Sequence, residues 1–83
     1  MSNGMIMYPS DILVYTNTFD NLLDIITKAS SSGIIIDSIS TINKSDYKVY
    51  NMTVLVKNKD KLEKFINDLL NLNFVQKVER SVN

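Results

Sequence analysis

The residues best placed to do chemistry in this chain lie between Asp11 and Ala29. There the apolar run Ile12-Leu13-Val14-Tyr15 passes through Thr16-Asn17-Thr18-Phe19-Asp20-Asn21 into Leu22-Leu23-Asp24-Ile25-Ile26. The pattern predicts a strand, a short polar loop and a helix. A strand that feeds a helix through a tight turn leaves backbone N–H groups unpaired at the helix start, and those donors can hold a carboxylate or another anion. The junction is therefore a candidate small-molecule site.

Other chemistry has less to work with. The chain contains no His and no Cys, which removes the commonest general base, thiolate nucleophiles, Ser-His and Cys-His catalytic pairs and zinc sites of the His or Cys type. Nearly all of its carboxylates, from Asp11 to Glu79, fall at turns or on the wet faces of predicted helices, so no acid-base pair and no metal site is assigned. Gly4 and Gly33 are the only glycines, and neither belongs to a phosphate-cradling loop between strand and helix. A small hydrolase of the acylphosphatase type would need an arginine near the first helix, and the only arginine is Arg80. No catalytic residue, cofactor or metal is expected.

The elements that must position the junction follow from periodicity. Leu22, Ile25, Ile26 and Ala29 fall at i, i+3, i+4 and i+7 and make one apolar helical stripe, which Ser30-Ser31-Ser32-Gly33 ends. Ile34 to Ile42 is rich in β-branched residues and predicts a second strand, followed by a turn at Asn43-Lys44-Ser45-Asp46. Tyr47 to Lys57 alternates, with Tyr50, Met52, Val54 and Val56 on one face and Asn51, Thr53 and Leu55 on the other. Leu62, Phe65, Ile66 and Leu69 repeat the helical spacing, and Asp60 with Glu63 reads as a capping box. Phe74 to Arg80 reads as a closing strand. The order βαββαβ, folded by right-handed crossovers, is an α+β ferredoxin-like sandwich: a four-stranded antiparallel sheet with two helices on one face and strands one and three in the centre.

Such a sheet leaves its other face open. Alternation places Leu13, Tyr15, Leu55 and Ile35 there, beside Asn51 and Thr53. An apolar cluster on an uncovered sheet suits a dimer or domain interface, although a small sheet also shows some apolar atoms with no partner at all. Nine basic and nine acidic side chains cancel and are interleaved along the chain, so no footprint for a phosphate backbone is expected. Tyr47 and Tyr50 alternate to opposite faces, and Tyr15 alone is no platform for stacking bases. With 83 residues and 45% hydrophobic content, the chain fits one domain with a stability of roughly 4 to 12 kcal/mol, which pairing would raise. Its start lacks the basic region and apolar core of a signal peptide, and no run reaches the ~20 apolar residues of a membrane span. A cytoplasmic protein with no membrane contact is expected.

Taken together, Tyr8-Pro9-Ser10-Asp11-Ile12, Leu22-Leu23-Asp24-Ile25-Ile26-Thr27-Lys28, Gly33-Ile34-Ile35-Ile36-Asp37-Ser38-Ile39, Asn51-Met52-Thr53-Val54-Leu55-Val56-Lys57 and Val75-Gln76-Lys77-Val78-Glu79-Arg80 resemble an ACT domain. The resemblance spans residues 8 to 80. It is narrowest to the C-terminal ACT domain of RelA/SpoT-type stringent-response proteins, the GTP pyrophosphokinases and hydrolases that make and degrade (p)ppGpp, guanosine tetraphosphate, in the cytoplasm. It implies a tail over residues 1–9 and an ACT domain over residues 10–83. It also implies that catalysis resides in other domains, since the family's hydrolase site uses His and Asp around a metal.

For this segment the resemblance implies regulation, through a homodimer or contact with other domains of a longer chain, with no direct nucleic-acid contact. A ligand site, often for an amino acid, is implied at Asn17, Thr18, Phe19, Asp20, Asn21 and Leu22, with Ile34, Ile35 and Ile36 contributed by a partner subunit. Here the chain departs from the family pattern, because Asn21 stands where a glycine usually precedes the Leu-Leu pair. Asparagine adds a side chain that either fills the pocket or caps the helix. Thr18, Asp20 and Asn21 thus carry two readings, ligand contact and helix capping. A stand-alone amino-acid-binding ACT protein is the alternative to a stringent-response module.

Overall fold

A computed structural model describes residues 6–17 and 21–81 of the chain. Its elements are β1 (Tyr8–Asn17), α1 (Leu22–Ser31), β2 (Ile35–Asn43), β3 (Tyr47–Val56), α2 (Lys59–Leu70) and β4 (Val75–Arg80). The strands form one antiparallel sheet in the order β2-β3-β1-β4. This is the ferredoxin-like βαββαβ arrangement that the periodicity predicts, with β1 and β3 in the centre.

Strand alternation sets the core. Ile12, Val14 and Thr16 of β1 and Tyr50, Met52, Val54 and Val56 of β3 are all buried on the helix-covered face. They meet Ile25 and Ala29 of α1 and Leu62, Phe65 and Leu69 of α2, with Ile34, Phe74 and Val75 closing the ends. Ile26 departs from the predicted stripe: it is 43% exposed, because a ten-residue helix shows the sheet too narrow a strip to cover every i+4 position.

Three further differences have local causes. β1 starts at Tyr8 rather than near Asp11 and runs through Pro9, which pairs with Leu55. The Asp11 carbonyl accepts from Ser81 N–H at 2.9 Å, so β1 residues of that parity, Pro9 included, turn their backbone polar side toward β4. β4 ends before it reaches Pro9, and the missing N–H costs no ladder bond. The second helix is capped by Asn58, whose Oδ1 accepts from Lys61 N–H at 2.9 Å; Asp60 sits inside the first turn, so the capping box expected from Asp60 and Glu63 does not form. In β2 the register shifts between Ile36 and Ser38. The bulge at Asp37 reverses the alternation after it, so Ile39 and Thr41 face the helices while Ser38, Ser40 and Ile42 join the open face.

The α1 terminus closes as Gly33 allows. Its φ is +71°, a left-handed residue that lets Ile34 N–H reach Ala29 O at 2.9 Å and Gly33 N–H reach Ser30 O at 3.2 Å. This double closure delivers buried Ile34 onto buried Ala29 and launches β2.

Thr16 is the polar residue of this core. It is fully buried, and its Oγ1 has no hydrogen-bond partner among the described residues. A hydroxyl hidden from water without a partner carries an uncompensated desolvation cost. Thr16→Val therefore raises stability by about 1–2 kcal/mol and the melting temperature by roughly 4–8 °C per kcal/mol. A lower melting temperature in calorimetry would show that the hydroxyl is satisfied.

Candidate functional site

Asn17 ends β1, and its N–H donates to Phe74 O at 2.9 Å, tying the end of β1 to the loop before β4. Thr18, Phe19 and Asp20 lie outside the described residues. Asn21 has the extended backbone of an N-cap, with φ −135°. Its Oδ1 accepts from Leu23 N–H at 3.1 Å, and its carbonyl accepts from Asp24 N–H at 3.1 Å. The side chain that stands in place of glycine therefore occupies one of the donors that a ligand carboxylate would use. Leu22 packs partly buried against the core, and the next residue, Leu23, is 67% exposed.

The second set of residues lies at the far end of the sheet. Asn17 pairs with Tyr47 at the start of β3, whereas Ile35 pairs with Leu55 near its end. At about 3.3 Å per residue these positions are roughly 26 Å apart. One chain thus does not bring Asn17 and its Ile34-Ile35-Ile36 run together. Ile34 is buried and Ile36 packs against the core, while Ile35 is 52% exposed on the open face. Of the three isoleucines, Ile35 is the one free to touch another molecule.

The open face itself has an ordered pattern. Four rows cross the sheet: Ile42-Val49-Tyr15-Lys77, then Ser40-Asn51-Leu13-Glu79, then Ser38-Thr53-Asp11, then Ile35-Leu55-Pro9. The outer rows are mainly apolar and the inner rows mainly polar. Tyr47 adds a second ring beside Tyr15, with centroids 6.4 Å apart and planes inclined by 29°. The expectation that Tyr15 stands alone is thereby corrected, because Tyr47 shares its parity. Val49 is buried between these rings and β2 although no helix covers it.

Five polar residues on this face bond one another. Thr53 Oγ1 donates to Asp11 Oδ1 at 2.6 Å, and Tyr15 OH donates to Glu79 Oε1 at 2.9 Å. Lys77 Nζ lies 3.3 Å from Glu79 Oε2 and 4.4 Å from the centre of the Tyr15 ring. The hydrogen bond from Tyr15, aided by Lys77, holds the Glu79 carboxyl below its ordinary range, and the same bond holds the Tyr15 hydroxyl above its own. Both groups keep their usual charge states at neutral pH. Gln76 sits at a register shift in β4 and joins Tyr15, Tyr47 and Lys77 around a shallow hollow of about 410 Å³. Tyr47 and Val49 were legible from their parity with Leu55; the placement of Gln76 was not, because bulges leave no mark in an alternating pattern.

No group of three or more His, Cys, Asp or Glu among the described residues is arranged to hold a metal ion. No helix among them is long and apolar enough to cross a membrane. Among the described residues the arrangement offers surfaces and backbone donors.

The family model of the ACT domain matches residues 5–80. The chain belongs to the ACT domain family. This ACT domain is similar to the crystal structure of the ACT domain from GTP pyrophosphokinase of Chlorobium tepidum, with 23% sequence identity and a TM-score of 0.78 over 92% of this chain and 100% of that one. It is also similar to the C-terminal domain of the MgtC protein from Mycobacterium tuberculosis, with 19% identity and a TM-score of 0.74 over 100% and 94% of the two chains. A third likeness is to a homoserine dehydrogenase from Thiobacillus denitrificans, with 20% identity and a TM-score of 0.69, covering 92% of this chain and 17% of that one. At these identities the ACT domain and its structural neighbours share a fold. No curated protein matches the chain by sequence.

Proposed function

We propose that this ACT domain is a non-catalytic regulatory module of a stringent-response (p)ppGpp synthetase and hydrolase, acting by pairing with a second copy of itself. The observation that carries the reading is the row pattern of the open face. A two-fold axis through the polar middle lays the Ile42-Val49-Tyr15 end of one copy over the Ile35-Leu55-Pro9 end of the other, and the reverse, so one patch serves both partners. Thr53 already bonds Asp11 and Tyr15 already bonds Glu79, so drying the middle rows leaves Ser38, Ser40 and Asn51 to be matched across the axis. Four strands about 4.8 Å apart give a face large enough for a modest interface, near the lower end of the ~1,200–2,000 Å² that stable complexes bury.

The same pairing supports the ligand reading. The first loop and Ile35 are far apart within a chain, and an antiparallel pair sets the loop end of one copy near the Ile35 end of the other. A small amino acid held there would make its affinity depend on assembly, which is how a ligand biases a two-state module. Asn21 already caps α1, so the site has fewer backbone donors to offer and its affinity is low. Calorimetric titration with leucine, isoleucine and valine tests this: heats with millimolar affinity that vanish when pairing is broken are expected. Heats that persist in a strict monomer would place the site within one chain and contradict the shared-site reading.

A further inference from the structure

On the helix-covered side, the end of the sheet that holds Tyr8 carries a feature that pairing does not use. β1 runs past the end of β4, and α2 begins above the uncovered stretch, leaving a hollow of about 470 Å³ with Tyr8 on its wall and Val56 and Leu62 in its floor. Arg80 pairs with Ile12 of β1, a core-facing residue, so its side chain stands on this same side. Lys57 lines this hollow and also a second, polar one of about 260 Å³ that it shares with Lys61 and Ser32.

Charge is concentrated here, although the whole chain is balanced. Lys59 and Lys64 are met by Glu63 at 4.0 Å and Asp68 at 3.1 Å. Lys57, Lys61 and Arg80 have no ionic partner among the described residues, and no carboxylate lines either hollow. Three unpaired cations around two adjoining concavities favour an anion with more than one charged group. An arginine fork and lysine ammonium groups match phosphoryl oxygens in both charge and hydrogen-bond demand. The larger hollow lies within the ~300–1,000 Å³ range of small-molecule sites, and the half-exposed Tyr8 ring with the apolar floor offers a surface for an organic group. The cations do not extend into the long basic stripe that a nucleic-acid backbone requires.

We propose that the two hollows bind a small organic polyphosphate, its phosphoryl groups on Lys57, Lys61 and Arg80 and its organic part against Tyr8. Tyr8 and Arg80 stand on the side of the sheet opposite the open face, and of the lining only Pro9 belongs to the pairing rows, so binding does not require the domain to pair.

The test is an amide NMR titration with inorganic tripolyphosphate and with ATP, both free of divalent metal. Expected are shifts confined to Tyr8, Ser10, Ser31–Gly33, Lys57–Lys61 and Arg80, with ATP binding several-fold tighter than tripolyphosphate. Lys57→Gln with Arg80→Gln weakens both by about tenfold or more, while Lys44→Gln, in the β2–β3 turn, leaves both unchanged. Tyr8→Ala removes the advantage of ATP. Shifts spread over every lysine, or an equal loss with Lys44→Gln, would overturn the site. Equal affinity for the two probes, unaltered by Tyr8→Ala, would overturn its assignment to an organic phosphate.

Discussion

Replacing Phe65 by alanine lowers the unfolding free energy by about 3–5 kcal/mol. Phe65 is fully buried on α2 and packs in the single cluster that joins both helices to β1 and β3. Removing its ring discards the transfer free energy of a large apolar group, and it leaves a void that the stiff sheet beneath cannot collapse to fill. A domain of this size holds roughly 4–12 kcal/mol in total, so the loss removes a quarter to all of that stability, and a chain at the lower end of the range is half unfolded or worse. Urea denaturation followed by circular dichroism measures it. A loss below about 1.5 kcal/mol would mean that α2 repacks freely and that the core is looser than its burial indicates.

The second large effect is on assembly and leaves the fold intact. Ile35→Glu places a charge at a side chain that is 52% exposed in the single chain, where substitutions cost about 0.5 kcal/mol or less. In the proposed pair the same position is covered by the partner's tyrosine end, and a carboxylate buried there without a counter-charge is strongly unfavourable. The dimer dissociation constant is expected to rise by about 30-fold or more, equivalent to at least about 2 kcal/mol, with an unchanged melting profile at monomeric concentrations. A melting temperature that falls while pairing persists would mean that Ile35 serves the fold rather than the interface.

The contrast between Phe65 and Ile35 reflects what a sequence makes legible. Phe65, Leu62 and Leu69 sit at helical spacing, and Ile12, Val14, Met52 and Val54 alternate, so the core and the βαββαβ order follow from period alone. Ile26 was expected inside because period gives direction and says nothing of how wide a strip the sheet can cover. The bulge at Asp37 and the register shift at Gln76 are backbone choices made by cross-strand pairing, and the first of them decides which of Ile39 and Ile42 joins the open face. Asn58 displaced Asp60 as the cap because both are good caps two residues apart, and only the tertiary entry angle of α2 selects between them.

The first loop was recognisable as a strand-to-helix junction, and Asn21 indeed meets Leu23 N–H in the manner of a helix cap. What no local pattern could convey is that Asn17 and Ile35 occupy opposite ends of one sheet. Residues 17 to 22 and 34 to 36 look like neighbours along the chain, yet α1 carries the backbone down the length of the sheet between them. That separation is why the proposed ligand site depends on a second copy.

Sedimentation velocity across a concentration series therefore tests the account most directly. The intact chain is expected to shift from about 9.5 kDa to twice that mass as concentration rises into the micromolar range expected of a modest interface, and Ile35→Glu is expected to remain at the lower mass throughout. A chain that stays monomeric at millimolar concentration, or a dimer that Ile35→Glu leaves untouched, would contradict pairing through the open face.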